Sequence, residues 1–173
     1  LVRAGFRVEA IDLAGQYESA ESGPERLDPP RARYDVELFV DDLIAVLRSG
    51  RTPVHLLGYS FAGVVVRVVA DRAPELVASL TLLTVPPVSG HVFRKATGYR
   101  GGLMLASFVV GPRGSAGILA WGIRTNKNRV DEERYRFVMD RLQVTRYASV
   151  VDIFRLMRRV PDLADRIRAL PIP

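Results

Sequence analysis

The residues most suited to catalysis are 58–63, Gly-Tyr-Ser-Phe-Ala-Gly, in which a serine stands among small residues. The apolar run Val54–Leu57 precedes them and the run Val64–Ala70 follows, so Ser60 falls where a strand is expected to turn into a helix. A sharp turn of this kind, the nucleophile elbow, holds the serine hydroxyl above the sheet and next to the free N–H groups of the helix start. Ser60 is therefore predicted to be the nucleophile of an acyl-transfer reaction.

Three neighbours of the serine bear on this prediction. Gly58 and Ala62 are small, which lets the strand and the helix approach each other closely, although glycine is commoner than alanine at the second position. The backbone N–H of Phe61, directly after the serine, is expected to stabilise the developing oxyanion. The alternative is an ordinary tight turn that happens to contain a serine.

The elements around the turn are predicted to form an α/β fold with a parallel sheet. In chain order they are a strand over Phe6–Ile11, a loop over Asp12–Arg33, a helix from the N-cap Asp35 to Gly50, a strand over Val54–Leu57 covered on both faces, a helix over Phe61–Arg72 and a strand over Ser79–Thr84. Strands that alternate with helices indicate parallel pairing. Active residues of such sheets lie at the carboxyl ends of strands, which is where Ser60 falls.

The composition is that of a globular chain. Of its 173 residues 48% are hydrophobic and 25% are charged, and there are no cysteines and two histidines. Disulfides and metal sites built from thiolates or several histidines are therefore excluded, and we expect neither a cofactor nor a metal. No apolar run reaches the roughly 20 residues of a membrane span. No signal peptide is visible at the start, and we expect a cytoplasmic location.

The net charge of +6 is unevenly distributed along the chain. Residues 88–159 carry 14 basic and 5 acidic side chains, whereas residues 1–87 carry 9 basic and 12 acidic ones. A basic face can attract nucleic acid or other anions, but these charges are spread along amphipathic segments with little aromatic interleaving. We expect a solvated helix face and no nucleic-acid partner.

The pattern becomes helical after Pro87. Apolar residues recur at helical spacing at Tyr135, Val138, Met139 and Leu142, and again at Tyr147, Val150, Val151, Phe154 and Met157. A further short helix is predicted over Pro161–Ile167. An all-helical stretch that follows a strand is suited to covering the site as a lid.

Together these features resemble the α/β-hydrolase fold family, in its lidded serine-hydrolase branch. Asp12–Ser19 is similar to the loop after the family's fourth strand, usually Asp-x-x-Gly-x-Gly-x-Ser, with Tyr17 in place of the second glycine. Pro53–Gly63 resembles the fifth strand and the elbow, and Pro74–Leu82 resembles the approach to the sixth strand.

The resemblance implies a division of the chain into three parts. Residues 1–87 would form a partial hydrolase core with the elbow, 88–160 a helical cap inserted after the third strand present, and 161–173 the return into the core. The side chain of Phe61 is expected beneath that cap. The family's His-Gly loop, which donates a second oxyanion N–H, and its triad acid and histidine would lie outside these residues. The chain is thus interpreted as an internal fragment, inactive by itself.

The two histidines are weak candidates for the catalytic base. His55 lies within the strand before the elbow, where a histidine buried in the sheet is the expected interpretation and a catalytic one the alternative. His91 follows the third strand, a position from which it is a candidate to overhang a pocket, but no acidic residue lies between Thr81 and Arg129 to orient its ring locally. A distant acidic partner is the alternative.

None of the acidic residues is assigned to a triad. Asp12, at the end of a strand, is placed plausibly near the site, but the resemblance implies a role in shaping the loop. Glu18 is expected in solvent, with a position toward the cap as the alternative. Asp131, Glu132 and Glu133 are expected to open a helix, where their charge complements the helix dipole.

The proposed cap carries the only indication of the substrate. Met104, Phe108, Trp121, Tyr135, Met139 and Phe154 are candidates to line an apolar pocket, although packing within the cap is the simpler role for most of them. Arg94 and Lys95 are candidates to attract an anionic group. The expected partner is a small acyl compound with an apolar part. A ligand-binding protein without catalysis, and cleavage of C–C bonds by the same triad, remain as alternatives.

Overall fold

The computed structural model describes residues 1–83, 131–157 and 163–172. Its helices are α1 (Val36–Ser49), α2 (Ala62–Arg72), α3 (Glu132–Val144), α4 (Tyr147–Leu156) and α5 (Ala164–Arg168), and its strands are β1 (Val54–Tyr59) and β2 (Val77–Leu83). Single 3-10 turns lie at Val2–Ala4, Tyr17–Ser19, Pro24–Arg26 and Pro74–Leu76. Most of the predicted cap, residues 88–160, lies outside the described residues, and the three-part division stays a prediction.

The two strands form a parallel sheet in which Leu56 lies opposite Leu80 and Tyr59 opposite Leu83. Helix α2 connects them and packs against both strands, against α1 and against α5. Every residue of α2 from Gly63 to Ala70 is buried, because the helix is covered by the sheet on one side and by other helices elsewhere. The predicted β-α-β unit around the elbow is therefore present.

Helix α1 begins and ends where the sequence predicts. The Asp35 carboxylate accepts a hydrogen bond from the Leu38 N–H at 2.8 Å, and the Gly50 N–H donates to the Leu47 carbonyl. A side-chain cap of this kind satisfies one of the unpaired N–H groups at a helix start. The apolar face of α1 is buried, which fixes α1 against α2 and places its Phe39 in the core.

The strand predicted over Phe6–Ile11 is absent, and this prediction is wrong. Residues 6–11 form no strand, and the sheet of the described residues contains β1 and β2 alone. The side chains of Phe6, Val8 and Ile11 are 50%, 48% and 45% exposed. A strand requires a hydrogen-bonded neighbour, and the apolar alternation of this segment is not enough without one.

The prediction that β1 is covered on both faces is also wrong for the described residues. Leu56 and Gly58 are buried toward α2, whereas Leu57 and Tyr59 are 52% and 63% exposed. Side chains alternate between the two faces of a strand, so one face of β1 packs against α2 and the other is open in the part of the chain that is described. Within those residues no helix is both long enough and apolar enough to cross a membrane.

Candidate active site

Ser60 occupies a left-handed backbone conformation, with φ at 52°. It lies between the last residue of β1 and the first turn of α2, and its side chain is half-buried. Its N–H donates to the Leu83 carbonyl at 3.0 Å, and its carbonyl accepts from the Gly63 N–H at 3.1 Å. Non-glycine residues at positive φ are uncommon and cost free energy, so the surrounding contacts must hold the turn in this shape.

Close contact between β1 and α2 requires glycine at position 58. A Cβ atom there would lie 2.5 Å from Val66 Cγ2 and 2.6 Å from the Cα of Gly63. The strand and the helix therefore approach each other glycine to glycine, Gly58 against Gly63. The sequence predicted the need for a small residue at Gly58, and named Ala62 instead of Gly63 as its partner.

The Phe61 amide is available as a donor. It is the N-terminal capping residue of α2, and its N–H donates to no group within the described part of the chain. The Phe61 ring is buried, 5.5 Å from the ring of Phe39 in an edge-to-face arrangement. Its predicted position beneath a cap involves residues outside the described ones and stays a prediction. The Phe61 side chain anchors the start of α2, and among the described residues its amide has no hydrogen-bond acceptor.

His55 is exposed, so the prediction of a histidine buried in the sheet is wrong. Its Nδ1 lies 2.7 Å from the Ser79 hydroxyl of the neighbouring strand, and the ring meets Phe6 edge-on at 6.2 Å. The side chain points to the open face of β1, opposite the face that carries α2. This geometry assigns His55 to contacts with Ser79 and not with the serine of the elbow.

Several of the other predicted site residues lie outside the described residues, and the rest make no hydrogen bond to Ser60 within the part of the chain that is described. Glu18 is exposed, as expected, and Asp12 is half-buried, while its predicted role in shaping the loop stays a prediction. Asp131 caps α3 by accepting from the Arg134 N–H at 2.7 Å, also as expected. Of the candidate pocket residues, Tyr135, Met139 and Phe154 are half-buried in α3 and α4. His91, Arg94, Lys95, Met104, Phe108 and Trp121 lie outside the described residues.

The family model of the alpha/beta hydrolase fold matches residues 1–108, well over half of the chain. The chain belongs to the alpha/beta hydrolase fold family. The match includes the elbow and both strands of the sheet, and it ends before α3. No curated protein matches the chain. No group of three or more histidines and carboxylates that could hold a metal ion occurs among the described residues.

In the loop before α1, two residues adopt the left-handed backbone conformation that glycine favours. One of them is Tyr17, which stands where the family usually has its second glycine. Gly15 has φ at 79° and Tyr17 has φ at 38°, both in the left-handed region. The guanidinium of Arg141 lies 4.2 Å from the centre of the Tyr17 ring, and the Tyr17 N–H donates to the Thr145 hydroxyl at 3.4 Å. These contacts with the C-terminal end of α3 offset the backbone strain at Tyr17, which a glycine would not have.

Helix α4 is held to that loop by buried polar groups that the sequence analysis did not identify. The Ser149 hydroxyl donates to the Ala14 carbonyl at 3.1 Å, and the Asp152 carboxylate accepts from the Tyr34 N–H at 3.1 Å. Both side chains are buried. The apolar spacing predicted Tyr147 on the buried face, yet Tyr147 is 55% exposed. Helix α4 is therefore rotated about its axis relative to the predicted orientation. The reason is that buried backbone groups of the loop need hydrogen-bond partners, which Ser149 and Asp152 supply.

Arg146, just before α4, adds a charged contact to the same loop. Its guanidinium donates to Glu25 at 2.6 Å and to the Tyr34 hydroxyl at 3.2 Å. The backbone N–H of Glu25 and the Arg146 guanidinium both donate to the Glu25 carboxylate and hold its pKa below the ordinary value of 4.5. The ionised carboxylate is thus the form that the folded chain prefers.

The contact between Glu25 and Arg146 predicts a pH-dependent stability. Because the pKa of Glu25 is lower in the folded chain than in the unfolded chain, the contact stabilises the fold in full at a pH above the unfolded-state pKa. That stabilisation is lost as the pH falls through the folded-state pKa. We expect Glu25→Gln to lower the melting temperature at pH 7 and to have less effect at pH 3. Thermal melts of both proteins at both pH values measure this. Glu18→Gln, at an exposed site, serves as the control and should shift neither melt. An equal effect of Glu25→Gln at both pH values would contradict the prediction.

Proposed function

We propose that the protein is a serine hydrolase that cleaves an ester or related acyl compound through an acyl-enzyme on Ser60. The observation that carries the proposal is the positive φ of Ser60 at the turn from β1 into α2, in a chain of the alpha/beta hydrolase fold family. Strained residues of this kind cluster at functional sites. A turn that requires a positive φ is ordinarily made by glycine, which adopts that conformation without strain, so a serine at this position needs another reason.

In the proposed reaction a base accepts the Ser60 proton as the hydroxyl oxygen attacks the substrate carbonyl carbon. The carbonyl oxygen becomes an oxyanion, and the Phe61 N–H donates a hydrogen bond to it. The tetrahedral intermediate then expels the alcohol, which takes up the proton, and leaves an ester bond to Ser60. Water hydrolyses that ester by the same steps and releases the acid.

The groups that complete this chemistry are proposed to lie outside the chain. No hydrogen bond joins the Ser60 hydroxyl to a histidine or a carboxylate among the residues that the structure describes. By the resemblance to lidded serine hydrolases, the base, its acid partner and a second oxyanion donor come from flanking sequence. We therefore expect residues 1–173 alone to be nearly inactive. Loss of one oxyanion donor already lowers kcat by about 10²–10³-fold.

The substrate is proposed to have an apolar part of modest size. Tyr135 and Met139 on α3 and Phe154 on α4 are half-buried apolar side chains that could face such a group. C–C bond hydrolysis by the same nucleophile is a variant of this proposal, separated from ester cleavage by substrate profiling.

A hydrolase-fold protein that binds a ligand without cleaving it is the second candidate. The observation that favours it is the lack of a described partner for the Ser60 hydroxyl, since a serine without a base is a poor nucleophile. If the complete reading frame supplies no acid and histidine downstream of the chain, this candidate replaces the first.

Stopped-flow hydrolysis of p-nitrophenyl butyrate by the protein from its complete reading frame tests the proposal. The proposal predicts turnover with a burst of nitrophenolate of about one equivalent, because the acyl-enzyme accumulates when its hydrolysis is slow. Residues 1–173 expressed alone provide the matched comparison and should show neither burst nor turnover. A complete protein with no activity on a panel of esters, thioesters and lactones would contradict it.

A further inference from the structure

We propose that Tyr34 and Phe39 are positioning residues for the Phe61 amide, acting through a row of three aromatic rings. The inference rests on the proposed function, in which that amide stabilises the oxyanion. It concerns two buried side chains that lie outside the elbow.

The three rings are buried and in consecutive contact. Tyr34 and Phe39 are stacked at 6.0 Å with an interplanar angle of 12°, and Phe39 meets Phe61 edge to face at 5.5 Å and 79°. The exposed fractions of Tyr34, Phe39 and Phe61 are 3%, 1% and 6%. Both geometries are those that aromatic pairs prefer. The Phe61 ring is therefore held by α1, outside the strand and helix of the elbow.

The peptide group between Ser60 and Phe61 is held from two sides. On one side, the Ser60 carbonyl accepts from the Gly63 N–H at 3.1 Å. A trans peptide is planar, with its N–H pointing opposite to its carbonyl, so this bond directs the Phe61 N–H away from α2. On the other side, the buried Phe61 ring fixes the Cα to which that N–H group is joined. The direction of the N–H depends on both.

The far end of the ring row is joined to α4. The Tyr34 N–H donates to the Asp152 carboxylate at 3.1 Å, and the Tyr34 hydroxyl accepts from Arg146 at 3.2 Å and donates to the Ser22 carbonyl at 3.4 Å. Tyr34 thus stacks its ring on Phe39 and uses its hydroxyl to hydrogen-bond with Arg146 and with the loop carbonyl of Ser22. Packing in the core would explain why each of these aromatic residues is buried. It would not explain why the three rings form a row that ends at Phe61, the residue whose N–H is the proposed oxyanion donor.

Phe39→Leu is the variant that tests this inference, in the protein from its complete reading frame. Leucine fills part of the space but removes the edge-to-face contact, so the Phe61 ring can shift and the N–H with it. Small displacements of a catalytic group are costly, and an oxyanion donor acts on the transition state and not on bound substrate. We expect kcat for p-nitrophenyl butyrate to fall on the order of tenfold or more, with KM changed less than about twofold.

The matched control is Leu47→Ala, which removes buried volume from the same helix at a residue that is not part of the row of rings. It should lower the melting temperature and leave kcat within about twofold of the wild type. The rate of covalent labelling by a fluorophosphonate should fall in Phe39→Leu and not in Leu47→Ala, since that reaction also places charge on an oxygen facing the amide. Tyr34→Leu provides a second test if Phe39→Leu does not fold, and it should lower kcat in the same way.

The outcomes separate the two proposals. A folded Phe39→Leu or Tyr34→Leu variant with the same kcat as Leu47→Ala, in a wild-type protein that forms an acyl-enzyme on Ser60, would overturn the positioning role alone. Turnover and labelling that persist in Ser60→Ala would overturn the proposed function, and the positioning role with it. A kcat loss in Phe39→Leu without a matching loss in Leu47→Ala would support both.

Discussion

Ser60→Ala is expected to lower kcat/KM for p-nitrophenyl butyrate by at least about 10³-fold in the protein from its complete reading frame. The substitution removes the atom that would bond to the acyl carbon, and no base can compensate for a missing nucleophile. The alanine methyl is smaller than the side chain it replaces, and Ser60 makes its turn contacts through the backbone. We expect the melting temperature to stay close to that of the wild type.

Ser79→Ala is the matched control for this experiment. Ser79 lies on β2, and its hydroxyl contacts His55 instead of the elbow. Its removal should leave kcat/KM within about twofold of the wild type. Activity that survives Ser60→Ala, or an equal loss in both variants, would contradict the assignment of the nucleophile.

Gly58→Ala is expected to lower the free energy of unfolding by about 3 kcal/mol. A methyl group at this position would collide with the Cα of Gly63 at 2.6 Å, and backbone atoms cannot rotate aside as the end of a side chain can. The strand and the helix would have to separate, which also moves Ser60 and Phe61. We therefore expect a loss of activity together with the loss of stability. Urea unfolding measures the first, and ester hydrolysis the second.

The control is Gly50→Ala, at the end of α1. A Cβ atom at Gly50 would meet its nearest neighbour, the Leu47 carbonyl oxygen, at 3.7 Å, which is an ordinary contact. The free energy of unfolding of this variant should stay within about 1 kcal/mol of the wild type. If Gly58→Ala were as stable as Gly50→Ala, the close contact between β1 and α2 would be refuted.

The parts of the fold predicted correctly depend on local sequence. Asp35 begins α1 because its carboxylate reaches a backbone N–H three residues ahead, and Asp131 begins α3 in the same way. The turn at Ser60 is encoded within six residues, since the small residue, the serine and the flanking apolar runs are adjacent. Patterns of this length can be interpreted without knowledge of distant neighbours.

The parts that were wrong or missed depend on residues far apart in the sequence. The alternation over residues 6–11 predicts a strand, but pairing needs a neighbour that the pattern does not identify. The rotation of α4 is determined by Ser149 and Asp152, whose partners are Ala14 and Tyr34, more than a hundred residues away. A single sequence has no feature that links such positions.

The most direct test of the central claim is to identify the residue that a fluorophosphonate modifies. The protein from its complete reading frame is treated with the reagent, digested and mapped by tandem mass spectrometry. The assignment of Ser60 as an activated nucleophile predicts a single adduct, on the Ser60 oxygen, that does not form when the protein is denatured before treatment. An adduct on another residue, or none on the folded protein, would contradict it.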